Sequence, residues 1–300
     1  MSQQPDEPQA GPVAVADYAA VGAGLDVLDG ASTTKTSGWR KFLRTVLPPI
    51  VAVVVLIAIW QALWAAAFWP EYQLPEPSAV GSQLWGLVTT GQVGGILWTS
   101  VHRAILGFAI AIVIATPLGL AMARIPLLRS AIGPLLSGLQ SLPSVAWVPA
   151  AILWFGIQPT AIYFVVLLGS VPSIANGLVS GIDQIPPILP RVGKVLGAGQ
   201  LASARHILLP AALPGYLLGL KQGWAFSWRS LMAAELIANS PQLGAGLGQY
   251  LENGRSLNDM SIVIAAIVLI LLVGIGIDLI LFRPVERYVL RARGLGAVPR

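Results

Sequence analysis

Four charged side chains interrupt long apolar stretches in the second half of the sequence, and they are the first candidates for chemistry. They are Lys221, Arg229, Glu235 and Asp278. A charge in such surroundings is costly unless it is paired or hydrated, so each one indicates either a structural ion pair or a contact with a charged ligand. Arg229 is the strongest candidate, because a guanidinium keeps its charge and can bind an oxyanion at two points.

Two interpretations of Arg229 are open from the sequence. In the first, Arg229 contacts an anion along a path for solute; in the second, it pairs with Glu235 or with a neighbouring helix and stabilises a bundle. A helix turns by about 100° per residue, which places Trp228 and Glu235 on one face and Arg229 about 100° away from Trp228. Lys221 and Asp278 lie near the ends of their stretches and can reach water. The candidates for the path are therefore Arg229, Glu235 and Trp228.

The sequence offers little else for catalysis, metal binding or nucleotide binding. It contains no cysteine, and its two histidines, His102 and His206, are far apart. Neither thiolate chemistry nor a histidine metal site is expected, and a serine without a base is inert. None of the lysines stands in a phosphate-binding loop of the form Gly-x4-Gly-Lys-Ser/Thr; Gly193-Lys194 is followed by Val195. We therefore predict no catalytic residue, no metal site and no cofactor on this chain.

The composition excludes an ordinary soluble domain. Hydrophobic residues make up 55% of the 300 residues and charged residues only 10%, with a mean hydropathy of +0.74, whereas soluble domains are about 25% charged. Such a chain dissolves in a bilayer rather than in water. Lipid is therefore an expected partner, and nucleic acid is not.

Six apolar stretches are long enough to cross a hydrocarbon core of about 30 Å, which takes about 20 helical residues. The alternation of apolar and polar residues expected of membrane strands is missing, so the spans are predicted to be helices. The fold class is thus an all-α polytopic bundle with six transmembrane helices. The predicted spans are Val46–Trp69, Ile105–Ala123, Pro134–Ile157, Thr160–Gly181, Leu213–Ala238 and Met260–Phe282.

Charge in the connecting segments predicts the orientation. With the N-terminus in the cytoplasm, most of the 18 basic residues fall on the cytoplasmic side, as the positive-inside rule requires. Both termini should then be cytoplasmic in a multi-pass protein of the inner membrane. Residues 1–38 are acidic and poor in apolar runs, so they are predicted to form a disordered cytoplasmic tail ahead of a transmembrane domain over 39–300.

Two features of the predicted helices bear on function. The third span contains Pro134, Pro143 and Pro149, so it should be kinked or broken, which a bilayer tolerates where neighbouring helices or a water-lined path cover the freed carbonyls. Pro143 and Pro149 join the path candidates, although prolines also occur in membrane helices without a path. Between the first two spans, Ser78 can cap a short helix whose apolar stripe would lie on the outer membrane surface.

The segment over about 182–212 is long for a connector and lies on the basic side. It contains Arg191-Val192-Gly193, Gly197-Ala198 and Ile207-Leu208-Leu209-Pro210. These residues resemble the signature of ABC-transporter permease subunits, Glu-Ala-Ala, three residues, Gly, nine residues, Ile-x-Leu-Pro, with every spacing kept and the first triplet changed. The resemblance implies a helix, turn and helix that docks on a cytoplasmic ATPase; the alternative is an ordinary amphipathic loop.

Further motifs, in order from Thr99 to about Arg293, resemble the permeases for nitrate, sulfonates and taurine. Where that family usually has Arg-Pro before the third-span proline, this chain has Gln140-Ser141. The matching motifs are Thr99-Ser100 with Arg103 and Gly107-Phe108, Pro117-Leu118-Gly119, Leu142-Pro143, Ala146-Trp147-Val148-Pro149, Leu153-Trp154-Phe155-Gly156, Leu196-Gly197-Ala198, Leu209-Pro210-Ala211-Ala212-Leu213-Pro214, Ala233-Ala234-Glu235-Leu236 and Gly246-Leu247-Gly248.

This resemblance implies a permease of the type I importer fold that moves a small solute into the cell. An oxyanion such as a sulfonate, taurine or nitrate is the expected solute, because it fits Arg229 better than a neutral solute, and small heterocycles are the alternative. The resemblance also implies two copies of the permease, two copies of a separate ATPase that holds ATP and magnesium, and an external binding protein that delivers the solute. The ATPase-coupling residues would be Arg191, Val192, Gly193, Gly197, Ala198, Ile207, Leu209 and Pro210. The alternative is a secondary transporter or channel that works without an ATPase, although the two related halves common in secondary transporters are not evident.

Overall fold

The computed structural model describes residues 38–238, 240 and 243–292, with side chains from residue 46 onward. The predicted tail over 1–38 therefore lies outside the described residues, apart from Gly38. Every regular element in the described part is helical, which confirms the all-α fold class. The helices are α1 (Gly38–Ala65), α2 (Pro77–Thr89), α3 (Gln92–Arg124), α4 (Pro126–Ser141), α5 (Val148–Phe155), α6 (Pro159–Asp183), α7 (Ile188–Val195), α8 (Gln200–Ser203), α9 (Leu209–Ile237), α10 (Leu247–Ser256), α11 (Met260–Ile277) and α12 (Arg283–Ala292).

The chain divides into two compact units between Leu63 and Trp64. The first unit contains nearly all of α1, whose apolar part from Val46 onward has no buried residue. The predicted first span reached Trp69, but α1 ends at Ala65, and Ala67 then adopts a positive φ of 50° that no helix can continue through. The second unit contains all the helices that follow.

Among the described residues, four helices are long and apolar enough to cross a membrane, or five if a sharply bent pair counts as one span. The predicted fifth span coincides with α9, which is 29 residues long and would reach about 43 Å. Because α9 contains charged residues, it is less apolar than the four helices that qualify. All six predicted stretches are helical, and their number as membrane crossings stays a prediction.

The bent pair contains most of the third predicted span, Pro134–Ile157, and begins earlier, at Pro126. α4 ends at Ser141, a 3₁₀ turn covers Ser144–Trp147 and α5 follows, so that the two halves are bent by 99°. The break falls at Pro143, because proline has no N–H to continue the ladder of α4. The prediction of a broken helix is confirmed, whereas Pro134 is accommodated inside α4.

The short helix α2 begins two residues earlier than the sequence suggested. Pro77 occupies its first position, where a fixed φ and a missing N–H are tolerated, and the extended Glu76 is the N-cap. The expected cap by Ser78 is therefore wrong. Its stripe also differs from the prediction, since Val80 and Leu87 are buried inside the subunit rather than laid on the membrane surface.

The centre of the second unit is α6, which packs mainly against α9 and α3. Glycines allow α6 and α9 to touch through their backbones. A Cβ built on Gly219 of α9 would lie 2.7 Å from the Cα of Gly177, and one built on Gly215 would lie 2.6 Å from the Cα of Gly181. Small residues four apart on both helices are the usual means of such close packing in membranes.

Candidate functional site

The segment 182–212 forms a helix, a turn and a second helical stretch. α7 is followed by the short α8, and a π-helical turn over Ala204–Leu208 leads without interruption into α9. The turn after α7 depends on Gly197, whose φ is +78°. Glycine adopts this left-handed conformation without the steric cost that other residues meet.

Backbone hydrogen bonds around Gly197 close the end of α7 in a Schellman motif. The Gly197 N–H donates to the Lys194 carbonyl at 3.1 Å, and the Ala198 N–H donates to the Gly193 carbonyl at 2.9 Å. These are the two bonds that define the motif, with the left-handed residue at the position after the cap. The segment is therefore a specified helix–turn–helix.

Gly193 and Ile207 hold the two halves of this segment together. A Cβ on Gly193 would clash with the Ile207 Cδ1, so glycine at this position lets the Ile207 side chain pack directly on α7. Gly193 is buried, and Ala198, Ile207 and Leu209 are half-buried. The other residues named for this segment are exposed: Arg191, Val192, Gly197 and Pro210.

An apolar groove of about 430 Å³ opens between α7 and the start of α9. The most exposed apolar side chains nearby are Val195 at 87%, Leu196 at 79% and Leu201 at 83%. Exposed apolar surface of this kind marks a contact with another protein or with a membrane. The groove is lined by Leu189, Val192, Gly193, Leu196, His206, Ile207, Pro210 and Ala211.

Glu235 is fully buried and is paired with Arg103, not with Arg229. The Arg103 Nη1 group donates to Glu235 Oε1 at 2.9 Å, and Arg103 Nη2 donates to the Leu243 carbonyl. Ser100 Oγ donates to Glu235 Oε2 at 2.7 Å. The interpretation in which Arg229 pairs with Glu235 is therefore wrong.

Backbone groups complete this arrangement, which we call the outer clamp (Ser100, Arg103, Glu235, Leu243, Leu247 and Gly248). The Gly248 N–H donates to Glu235 Oε2 at 3.1 Å, and the Leu247 N–H donates to Ser100 Oγ at 2.8 Å. A Cβ on Gly246 would lie 2.6 Å from Glu235 Oε2, so the backbone approaches the carboxylate directly. The clamp thus fastens the connector before α10 to α3 and α9.

Arg229 lies on the exposed side of α9. Its Nε donates to the Ala225 carbonyl at 3.1 Å, and its guanidinium carbon lies 4.7 Å from the centre of the Phe226 ring. The stripe Leu218, Gln222, Ala225 and Arg229 is exposed, at the spacing of one helical face. Within the described residues Arg229 has no acidic partner, so its two terminal nitrogens are available to an anion.

The remaining charged and aromatic candidates form contacts with other residues of the same subunit. Lys221 Nζ lies 2.9 Å from Asp278 Oδ1, so these residues form an ion pair between α9 and the turn that follows α11. Trp228 is 7% exposed and stacks on Trp224 with ring centroids 6.4 Å apart. Trp228 and Glu235 are therefore packed in the interior of this subunit, and their place on a solute path stays a prediction.

Pro143 and Pro149 are both exposed at the break of the third span. Pro143 lies in irregular backbone between α4 and the 3₁₀ turn, whereas Pro149 is in the first turn of α5. Their place on a solute path stays a prediction. Across the described residues, no group of three or more histidine, aspartate or glutamate side chains converges as a metal site would require.

Comparison with known proteins gives one family and several relatives. A family model described as the inner membrane component of binding-protein-dependent transport systems matches residues 115–285. A putative ABC transporter permease protein of Methanocaldococcus jannaschii is 32% identical over 234 residues, which cover 77% of this chain and 85% of the relative. The taurine transport system permease protein of Escherichia coli is 28% identical, over 80% of this chain and 88% of that protein. The nitrate import permease protein of Leptolyngbya laminosa is 29% identical, over 78% of this chain and 85% of that protein.

The fold is also similar to a solved structure. A chain of a methionine ABC transporter in inward facing conformations superposes with a TM-score of 0.55 at 20% identity. The match covers 69% of this chain and 98% of the other. The two proteins therefore share a fold.

Proposed function

Because the chain belongs to the family of inner membrane components of binding-protein-dependent transport systems, we propose that it is the membrane subunit of an importer for a small oxyanion. Taurine, nitrate and sulfonates are the solutes in the names of its relatives, and each carries an anionic oxygen group. An external binding protein would deliver the solute.

The observation that carries the proposal is the groove on segment 182–212. It combines a specified helix–turn–helix with exposed apolar side chains and the exposed bases Arg191 and Lys194. This surface fits a soluble ATPase, which would hold ATP and magnesium and perform the hydrolysis. Two copies of this chain and two ATPases would form the complete transporter.

The connection from this segment to α9 supports a mechanical role. The π-helical turn passes directly into α9, and α7 packs on this turn through Gly193 and Ile207, so a displacement of α7 by the ATPase reaches the helix that carries Arg229. Closure of two ATPases on ATP would then move the α9 helices of both copies. The path would open alternately to the outside and to the cytoplasm.

Arg229 supports an anion as the solute. Its terminal nitrogens are unused by acidic groups of the described chain, and it lies on an exposed stripe with Gln222. A planar guanidinium can hold two oxygens of a sulfonate or nitrate at once. The alternative is a transporter or channel without an ATPase, and it is separated from the proposal by the next experiment.

The test uses the tagged full-length chain purified in mild detergent together with the ATPase of its transport system. We expect the two proteins to copurify in equal amounts and, with the binding protein, to import nitrate or taurine into proteoliposomes only with ATP. Val192→Glu places a charge on the groove wall and should lower copurified ATPase at least about tenfold, since a buried unpaired charge is costly.

Gln200→Glu is the matched control. Gln200 is exposed on the same segment but outside the residues that line the groove, so this variant should keep its ATPase. Uptake that proceeds without any ATPase would support the alternative. A Val192→Glu variant with a full complement of ATPase would remove the groove from the docking surface.

A further inference from the structure

The break in the third span exposes irregular backbone. Ser141 and Pro143 are exposed, and Leu142 is 50% exposed. Non-helical backbone at membrane depth is tolerated only where it is buried in protein or lines a water-filled cavity, because hydrocarbon cannot satisfy its polar groups. This subunit does not bury its own break, so a second copy or water has to cover it.

Polar side chains converge on the break from α6. Gln140 Nε2 donates to Ser173 Oγ at 2.9 Å, and Asn176 Nδ2 donates to Gln140 Oε1 at 3.2 Å. A side-chain amide has two donor hydrogens, so each of these amides keeps one N–H for a further acceptor. Gln140 and Asn176 are only half-buried, which leaves room for such an acceptor.

α9 contributes to the same region from the other side. Ser230 Oγ donates to Ser144 Oγ, the first residue of the 3₁₀ turn, at 2.8 Å. Hydroxyl and amide groups from α4, α6, α9 and the turn therefore meet around one break. We name this set the break cluster: Gln140, Ser141, Ser144, Ser173, Asn176 and Ser230.

Hydrogen bonds between helices also serve as simple adhesion in membranes. Adhesion requires that the polar groups be sealed between the helices, as Ser173 is at 1% exposure. Ser141 is exposed, and the two amides are half-buried. The cluster is therefore open on one side of the subunit. Adhesion between helices does not require exposed polar groups, so this opening favours contact with water and solute.

We propose that the break cluster lines the solute path and contacts the oxyanion through neutral hydroxyl and amide donors. The inference rests on the proposed importer function and names a second part of its path. Neutral donors replace the water around an anion without holding it as a buried cation would. A path needs this balance, since the solute must enter and also leave.

The first test uses accessibility to reagents in water. The chain has no cysteine, so a single cysteine can be introduced into the complete transporter in membrane vesicles without background. Ser141→Cys should react with a water-soluble anionic methanethiosulfonate at least about tenfold faster than Val113→Cys. Val113 is 72% exposed in the middle of α3, where only lipid is expected.

Protection by solute adds a second readout to this experiment. Nitrate or taurine, supplied with the binding protein and ATP, should slow modification of Ser141→Cys. Equal rates at Ser141→Cys and Val113→Cys would overturn the proposal, because the break would then face lipid or be sealed by the second copy. Copurification of the ATPase, measured on the same preparations, tests the importer function independently.

The second test changes charge without changing shape. Gln140→Glu should lower ATP-dependent uptake of nitrate or taurine about tenfold, because a carboxylate repels an anion, while the copurified ATPase stays constant. Gln158→Glu is the control, since Gln158 is exposed just before α6 begins and outside the break cluster. Unchanged uptake by Gln140→Glu would contradict the proposal.

Discussion

At the scale of single residues, the outer clamp makes the sharpest prediction. Replacing Glu235 by leucine leaves the Arg103 guanidinium buried without its carboxylate, and losing one partner of a buried pair costs about 3–5 kcal/mol. We expect Glu235→Leu to lower the free energy of unfolding by about this amount. The double variant Arg103→Met with Glu235→Leu should recover most of the loss, as measured by thermal unfolding of the purified protein.

An ion pair with two exposed partners provides the control for the clamp. Arg129 Nη2 lies 2.6 Å from Asp183 Oδ2, and both side chains are 46% exposed. Exposed pairs contribute about 0–1 kcal/mol, so Arg129→Ala should change stability little. Equal losses from Glu235→Leu and Arg129→Ala would contradict the assignment of Glu235 to the interior.

Arg229 carries a separate prediction about transport. Lysine keeps the charge but loses the planar fork that holds two oxygens, so Arg229→Lys should lower uptake of nitrate or taurine about tenfold or more. Because Arg229 has no acidic partner among the described residues, assembly and basal ATP hydrolysis should be retained. Normal uptake by Arg229→Lys would show that Arg229 does not grip the solute.

At the scale of elements, the contact between α6 and α9 depends on glycine. Gly219→Val would place a side chain against the backbone of Gly177, so we expect a large loss of folded protein in size-exclusion chromatography. Gly276→Val is the matched control, since a Cβ on Gly276 has no atom within 4 Å. A folded yield of Gly219→Val equal to that of the control would mean that the helices pack less closely than described.

The turn between α7 and α8 is the second element to test. Gly197→Val puts a branched side chain at a φ of +78°, which is a strained conformation for any such residue, and it should reduce copurified ATPase. Gly199→Val serves as the comparison, because Gly199 has a φ of −64° and open space around it. A loss of ATPase common to both variants would indicate a general intolerance of the segment, not a requirement of the turn.

Several elements could be predicted from the sequence because their causes are local. Hydrophobic runs indicated the helices and prolines indicated the break near Pro143, whereas the helix, turn and helix around Gly197 followed from the resemblance to ABC-transporter permeases. The clamp could not be predicted, since Arg103 and Glu235 are 132 positions apart and no local pattern joins them. Ser100 was noted only as part of a motif. The other donors of the clamp are backbone N–H groups, which nearly every residue type has, so the residue types do not reveal them.

At the scale of the whole molecule, orientation in the membrane is the property to measure. A cysteine at Ser82 should react with a membrane-impermeant maleimide in intact cells, and a cysteine at Ser203 should not, because Ser203 lies in the segment assigned to the cytoplasm. Ser82 lies in α2 and Ser203 lies in α8, and the structure describes both helices. Gln242, which the sequence suggested as a further outer position, lies outside the described residues. Labelling of Ser203→Cys from outside would reverse the topology and exclude the docking of segment 182–212 on a cytoplasmic ATPase.

The π-helical turn over Ala204–Leu208 lets this part of the chain lose one residue with little change in the direction that α7 faces. A π turn contains about one residue more than a turn of α-helix. Deleting a single residue there would let the chain relax into a continuous α-helix, and the orientation of α7 about the axis of α9 would stay nearly the same, because the extra residue is taken up within the turn. Deleting a residue from the regular part of α9 would instead rotate α7 about that axis by about 100°, and the groove would face another direction although every side chain in it remained. A change in length is therefore more damaging in α9 than in the π-helical turn.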